Sequence, residues 1–453
     1  MDYLNKKNKL ILLFILAVIF GLIISFIFRN KINPTELFID SLAYKAIALN
    51  IIEHGHFSYP NQPEPNNFRV PIYPLWLSLI YLIFGSFKFA IPIGIIIFAF
   101  TAPLTYLIAE ELFNSRVALL SGLLVSFEPW AAFLTGTIMS EQLFMPIFML
   151  SIYLFIKYLK NQERHSHLYL SVGLLGVSTL IRPNVLYLFP LFLLFISWKE
   201  FKRLNFINFF KTNILTIVIF GIVVFPWLLR NKIVLNTWQI TSVQGFSLYV
   251  DKFNALQVYL GKFKSLDDGY VRAYKITSGF SVVSKEASEI LMKEAVEGIK
   301  KNLFEYIKLS VMSLPSFFTS SSYSSLGYYL GLKDFKIQSQ TMDFIKNGNL
   351  GKVRDKIINA SLGEKILLFS GIVWPSIATF FIIGMIISFR NRQFVKIGIL
   401  FLFLIIFYFD VITTLMPELA RFRIQVQPFI FMFTSVSLIY FFDKIKYRNW
   451  NTN

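Results

Sequence analysis

The chain has 453 residues, 55% of them hydrophobic and 15% charged, with no cysteine and a formal charge of +18. Soluble domains carry about 25% charged residues, and here the apolar residues gather in runs near the ~20 residues needed to cross a bilayer core. A soluble protein, a disulfide framework and a thiolate-held metal are therefore excluded. Nucleic acid is not expected as a partner, because many Lys and Arg residues stand in short loops between apolar runs, where they set membrane orientation.

The first run, Leu10–Phe28, follows Lys6, Lys7 and Lys9. It is longer than a signal-peptide core and has no convincing small-residue cleavage site, so it reads as a retained first helix. Ten spans are expected, over 10–28, 88–109, 117–135, 142–159, 168–181, 184–198, 212–229, 366–388, 397–412 and 424–442. With the N-terminus inside, the inner loops hold Lys157, Lys160 and Arg164, then Lys199, Lys202, Arg203 and Lys211. Later come Arg390, Arg392 and Lys396, and last Lys444, Lys446 and Arg448, as the positive-inside rule requires. The loop at Glu110–Arg116 is not basic and adds no support.

Pro71–Gly85 is apolar but short, and a crossing there would turn every later basic cluster outward. It is expected to lie at the outer membrane surface. Arg182-Pro183 breaks 168–198, which predicts two short helices around a turn lining a protein cavity. The fold class is all-α integral membrane, with about ten transmembrane helices, an interfacial helix and one mixed extracytoplasmic domain. The chain divides into 1–229, which includes the outer loop 29–87, then an outer domain 230–365, then the C-terminal spans 366–453. Within the outer domain a helical pattern runs over Lys285–Lys308, followed by a Ser-rich aromatic loop, Pro315–Tyr329.

Several motifs fall at outer helix ends in this topology. The first is Asp40-Ser41-Leu42-Ala43-Tyr44, where Asp40, Tyr44 and Ile47 share a helical face by their spacing. Arg69-Val70-Pro71-Ile72-Tyr73-Pro74, Glu128-Pro129-Trp130 and Ser140-Glu141 follow. Then come Arg182-Pro183-Asn184, Pro226-Trp227 with Arg230-Asn231, and Arg421 and Arg423 before Pro428. Ionisable groups near membrane depth are costly and tend to be functional. Carboxylates mixed with arginines suit sugar transfer from a lipid phosphate. A carboxylate takes the acceptor's proton, and cations hold the phosphate leaving group.

Taken in order, these motifs resemble the integral-membrane glycosyltransferases of the GT-C fold. The nearest branch holds the protein O-mannosyltransferases and the aminoarabinose transferase of lipid A. The resemblance covers 10–240 and 366–442 well and 241–365 poorly. It implies Asp40 as catalytic base and Glu141 as a second site carboxylate. Tyr44, Arg69, Tyr73, Arg182, Arg230, Arg421 and Arg423 are the candidates for substrate or phosphate contact. It also implies a polyprenyl-phosphate sugar donor and inversion at the anomeric carbon. Two departures leave metal use open: Ser41 follows Asp40 where many relatives carry a second acidic residue, and Phe68 precedes Arg69. If a divalent metal ion takes part, Glu141, His54 and His56 are the candidate ligands. Glu128 reads equally as a buried hydrogen-bonding group, and the arginines equally as interfacial anchors.

The expected function is transfer of a sugar to an acceptor hydroxyl on a protein, lipid or cell-wall polymer. The enzyme would be a multi-pass cell-membrane protein, in contact with membrane lipid, with its site facing outward. One alternative is a ligase or oligosaccharyltransferase for a preassembled lipid-linked glycan. Another is a non-enzymatic flippase, which calls for inverted repeats and a polar path across the membrane; the sequence has neither.

Overall fold

A computed structural model describes residues 5–58, 65–160, 165–202, 206–281, 284–332, 340–341, 343–344, 347–390, 397–416 and 419–450. Of the basic loop residues, Arg164, Arg203, Arg392 and Lys396 lie outside these ranges. The described residues are almost entirely helical, and their one antiparallel bridge, Ser58 with Pro65, is isolated.

Helix Lys6–Phe28 shows why the fold needs a membrane. Ile11, Ile15, Ile19 and Ile23, four residues apart, are all exposed, each by 45% or more. An apolar stripe of that length facing out of the protein has lipid as its natural solvent. Seven described helices are long and apolar enough to cross a membrane, and eight if a bent pair counts as one. That pair is Ser115–Ser126 with Pro129–Thr135, bent by 53°. Two of the expected spans are shorter helices, His165–Thr179 with 15 residues and Ile397–Thr413 with 17. Each of the ten expected spans thus has a helix, and the protein is a multi-pass membrane protein.

Local chemistry explains the boundaries. Glu128 caps the second half of the bent pair by accepting from the Ala131 amide, and Pro129 opens that half where no amide donor is needed. Ile72–Phe84 has only 13 residues, roughly 20 Å of helix. It buries Tyr73, Leu77 and Ile80 and exposes Leu75, Leu79, Leu82 and Ile83, as a helix lying along an apolar boundary would. Val373–Arg390 packs so tightly on Gln427–Trp450 that a Cβ on Gly384 would stand 1.9 Å from the Phe433 carbonyl oxygen.

Three expectations need correction. Helix Phe206–Leu235 runs 30 residues and passes both the expected span end at 229 and the domain boundary at 230. The single helix expected over Lys285–Lys308 is two, Lys285–Lys301 and Leu303–Thr319, because Asn302 leaves helical geometry (φ −131°, ψ 43°). The expected loop Pro315–Tyr329 holds the end of that second helix and a further one, Tyr323–Tyr329. The described part of 230–365 is therefore helices and turns, not a mixture with strands. It has a small core of its own, in which Tyr249, Val250 and Phe253 meet Ala273, Leu291 and Ala295.

Candidate active site

The site assembles from segments far apart in the chain. Asp40 stands in the first turn of Ile39–His54, and Tyr44 and Ile47 on the same face are buried, as their spacing predicts. Both carboxylate oxygens of Asp40 are taken. Arg69 Nη2 donates to Oδ1, and Arg421 Nη2, 381 residues away, donates to Oδ2. Glu141 opens helix Glu141–Lys160 and is 1% exposed. Its Oε1 lies 2.7 Å from Arg182 Nη1 and 3.2 Å from Arg421 Nε. Arg421 therefore bridges the two carboxylates with different nitrogens of one guanidinium, which a lysine could not do.

Pro183 explains how Arg182 reaches this place. A residue before proline is driven to extended backbone, and Arg182 sits at φ −140°, ψ 109°, just past the end of helix His165–Thr179. The freed backbone groups there find partners. The Leu180 carbonyl accepts from the Ile72 amide at 3.1 Å, and the Asn184 carbonyl accepts from the Tyr408 hydroxyl. Arg182 also donates to Ser140 Oγ at 3.3 Å. With its amide oxygen turned toward Arg182, Gln425 accepts from Nε and Nη2 at 3.2 Å each.

These groups face a cavity of about 410 Å³ whose polar lining includes Asp40, Arg69, Arg182 and Arg421. Phe68, Ile181, Leu248, Met292 and Ile412 supply apolar wall, and Gln244, Ser247 and Lys252 reach in from the 230–365 region. Burial by itself would raise the Asp40 pKa. Arg69 and Arg421, with Arg182 behind them, more than reverse this and hold the carboxyl far below the usual carboxylate range.

Of the residues singled out in the sequence, Asp40, Tyr44, Arg69, Arg182 and Arg421 line this cavity, with Glu141 just behind the arginines. Tyr73 lies beneath it, fully buried, donating to Gln142 Oε1 at 2.9 Å and meeting the Tyr44 ring edge-on at 4.8 Å. Gln142 is in turn fixed by the Thr135 and Thr137 carbonyls.

The remaining candidates lie elsewhere. Arg230 donates to the backbone oxygens of Asn66 (2.9 Å) and Phe57 (3.2 Å) and rests on Trp227, so it ties Phe57 to Asn66 and is not among the residues lining the cavity. Arg423 is 1% exposed, stacked on Trp374 at 3.4 Å and bonded to the Phe317 carbonyl. His54 and His56 pair their rings at 5.8 Å outside the cavity. They do not join Glu141, and among the described residues no three His or acidic side chains are grouped to hold a metal ion. Glu128 is a hydrogen-bonding group, with Tyr323 Oη 3.0 Å from its Oε1. Sequence reading missed Gln425, which stands inside the Arg421–Pro428 motif, and Lys252, which no motif marks.

Residues 64–229 match the family model for dolichyl-phosphate-mannose-protein mannosyltransferase. The resemblance drawn from the motifs holds over that stretch, which contains Arg69, Tyr73, Glu141 and Arg182; Asp40 and Arg421 lie outside it. Comparison with curated protein sequences yields no match. Among solved structures, the chain is similar to the oligosaccharyltransferase of Archaeoglobus fulgidus in complex with Zn and sulfate. The identity is 12% over 95% of this chain and 50% of that one, with a TM-score of 0.47. It is also similar to ArnT from Cupriavidus metallidurans, in the apo state (13% identity, 80% of this chain and 78% of that one, TM-score 0.38). Similarity to the same protein bound to undecaprenyl phosphate is 12% identity over 93% and 76%, with a TM-score of 0.37. The chain spans about half the length of the oligosaccharyltransferase.

Proposed function

We propose that the protein is a membrane glycosyltransferase that moves a sugar from a polyprenyl-phosphate donor to an acceptor hydroxyl at the outer face of the membrane. The observation that carries this reading is the cavity in which one carboxylate, Asp40, is bracketed by Arg69 and Arg421, with Arg182 beside them. The family match over residues 64–229 supports it.

In the transfer, the acceptor oxygen attacks the anomeric carbon while the bond from that carbon to the phosphate oxygen breaks. The electron pair leaves with the phosphate, the acceptor proton passes to Asp40, and the anomeric configuration inverts. Clamped by two arginines, Asp40 is a poor base. A donor phosphate competes for the same guanidinium forks. Each contact that Arg69 or Arg421 gives to phosphate loosens its hold on Asp40 and restores basicity where the proton must go. Glu141, buried behind Arg182 and Arg421, positions them and does not touch the acceptor. Asp40 is the one carboxylate that lines the cavity among the described residues, so the arginines take the phosphate charge in this reading. The 230–365 region covers the site and selects the acceptor.

The test is transfer of radiolabelled mannose from polyprenyl-phosphate mannose by the protein in nanodiscs, scored on protein, lipid and wall-polymer acceptors. A preassembled glycan donor would use the same groups, so competition between the two donors decides between single-sugar and block transfer. No transfer from either donor overturns the reading. The side of the membrane is tested separately in this cysteine-free chain. A cysteine at Tyr270 is expected to label from outside and one at Asn205 from inside, and an inside signal at 270 would overturn the outward-facing site.

A further inference from the structure

The cavity carries a cation that the reaction as described does not use. Lys252 sits in the π-helical turn Leu248–Phe253, a wide turn that recurs at functional sites. Tyr249, Val250 and Phe253 of that turn are buried in the small core of the 230–365 region. Leu248 and Lys252 are left to line the cavity. The neighbouring Asp251 accepts from Ser247 Oγ at 2.5 Å. Arg69, Arg182 and Arg421 are each spoken for by Asp40 or Glu141. The Lys252 amine makes no hydrogen bond or ion pair with a described residue.

The charge count is unequal. Among the described residues, four cations (Arg69, Arg182, Arg421, Lys252) meet three carboxylates: Asp40 in the lining, Glu141 behind it and Asp251 beside Lys252. That leaves an excess of one positive charge. A lipid-phosphate sugar is a phosphodiester with one negative charge. Once the sugar has left, the phosphate is a monoester carrying about −1.5 to −2 near neutral pH. The excess balances the donor, and the charge added as the sugar leaves falls to a cation outside the Asp40 and Glu141 ion pairs, which among the described lining residues is Lys252. Burial pushes the Lys252 ammonium down to about 8 against the opposing pull of Asp251, so the charged form there has a cost in free energy that an arriving anion would offset.

We infer that Lys252 binds the lipid-borne phosphate monoester formed by transfer and stabilises the charge that builds on it as the sugar leaves. The inference rests on the sugar-transfer reading. It makes the 230–365 region a contributor to phosphate binding as well as a cover, through a residue in the stretch where family resemblance is poorest.

The test uses the full chain in nanodiscs, with binding of polyprenyl phosphate, of the uncharged polyprenol and of inorganic phosphate measured for wild type, Lys252→Gln and Lys252→Arg. A lost charge-assisted contact is expected to weaken polyprenyl phosphate roughly tenfold or more in Lys252→Gln, with polyprenol unchanged and Lys252→Arg within a few-fold of wild type. In the transfer assay, Lys252→Gln should lower kcat more than it raises KM. Unchanged polyprenyl-phosphate binding in Lys252→Gln overturns the inference while the wild type's own binding leaves the sugar-transfer reading standing. Equal loss in the Arg and Gln variants, or loss of polyprenol binding as well, gives Lys252 a structural role and overturns it too. Inorganic phosphate binding wild type as tightly as the lipid removes the lipid-borne part. A wild type that prefers polyprenol overturns both readings together.

Discussion

Arg421 and Arg423 stand two residues apart on one short helix, Leu419–Arg423, and end in different surroundings. Arg421 reaches the cavity and ties Asp40 to Glu141. Arg423 points into a second cluster, flat on Trp374, with the Phe317 carbonyl as acceptor and with Glu128 and Tyr323 close enough to act on it electrically. The first cluster places arginines where an anion can compete for them. The second uses its arginine to satisfy backbone and aromatic groups with the side chain almost sealed off. A buried guanidinium with fixed partners is part of the packing, and one that lines a cavity, as Arg421 does at 12% exposure, can change partners during a reaction. The same contrast separates Asp40, 18% exposed, from Glu141, 1% exposed.

The comparison can be broken by substitution. The largest effect is expected at Asp40: Asp40→Asn should fold normally and lose transfer on the order of a hundredfold or more, read as turnover per folded molecule. Near-normal transfer in that variant would move the base elsewhere. Next come the two arginines. Arg421→Lys keeps the charge but cannot serve Asp40 and Glu141 at once, so transfer should fall about tenfold with thermal stability little changed. Arg423→Leu should do the reverse. Removing a buried charged partner destabilises by about 3 kcal/mol, seen in thermal denaturation in detergent, while the activity of the surviving folded protein stays near wild type. If the two variants exchange phenotypes, the assignment of the clusters is wrong.

The pH profile sharpens the same point. In the free protein Asp40, held well below the usual carboxylate range by Arg69 and Arg421, stays ionised down to pH 5, so its protonation should produce no acid limb in kcat/KM between pH 5 and 7. Lys252, at about 8, loses its proton as pH rises, and transfer should decline through that region as the cation is lost. Asp251 beside it favours the charged form and burial opposes it; the other charged groups lining the cavity are Asp40, Arg69, Arg182 and Arg421. Lys252→Arg should remove the alkaline decline, because guanidinium does not titrate there. An unchanged decline in that variant would assign it to another group. The smallest effect is expected in the second cluster, at Glu128→Gln. Weakening a helix cap costs about 1 kcal/mol, visible as a lower melting temperature with unchanged transfer. A large loss of transfer would bring Glu128 back as a site carboxylate.

Sequence alone determined the membrane-spanning character of the chain, a helix at each expected span, the shortness of the apolar stretch at Ile72–Phe84, and the break at Arg182-Pro183. Each depends on properties that add up along a local stretch: length of apolar run, charge of the flanks, and the steric demand of one proline. It also placed a carboxylate and arginines at corresponding helix ends. Only the tertiary structure decided which of them meet. Helical spacing says nothing about residues 381 apart, so the meeting of Asp40 with Arg421 depends on how helices pack. Within a five-residue helix, a step of two residues turns a side chain by about 200°, which sends Arg423 away from the cavity that Arg421 enters. Arg230 lies away from the cavity for a related reason, since its helix continues to Leu235 and its guanidinium meets the Phe57 and Asn66 carbonyls. Lys252 carried no local mark at all. A lone lysine in a polar stretch looks like solvated surface until the fold packs its turn against a small core and brings it into the lining of the cavity that holds three arginines.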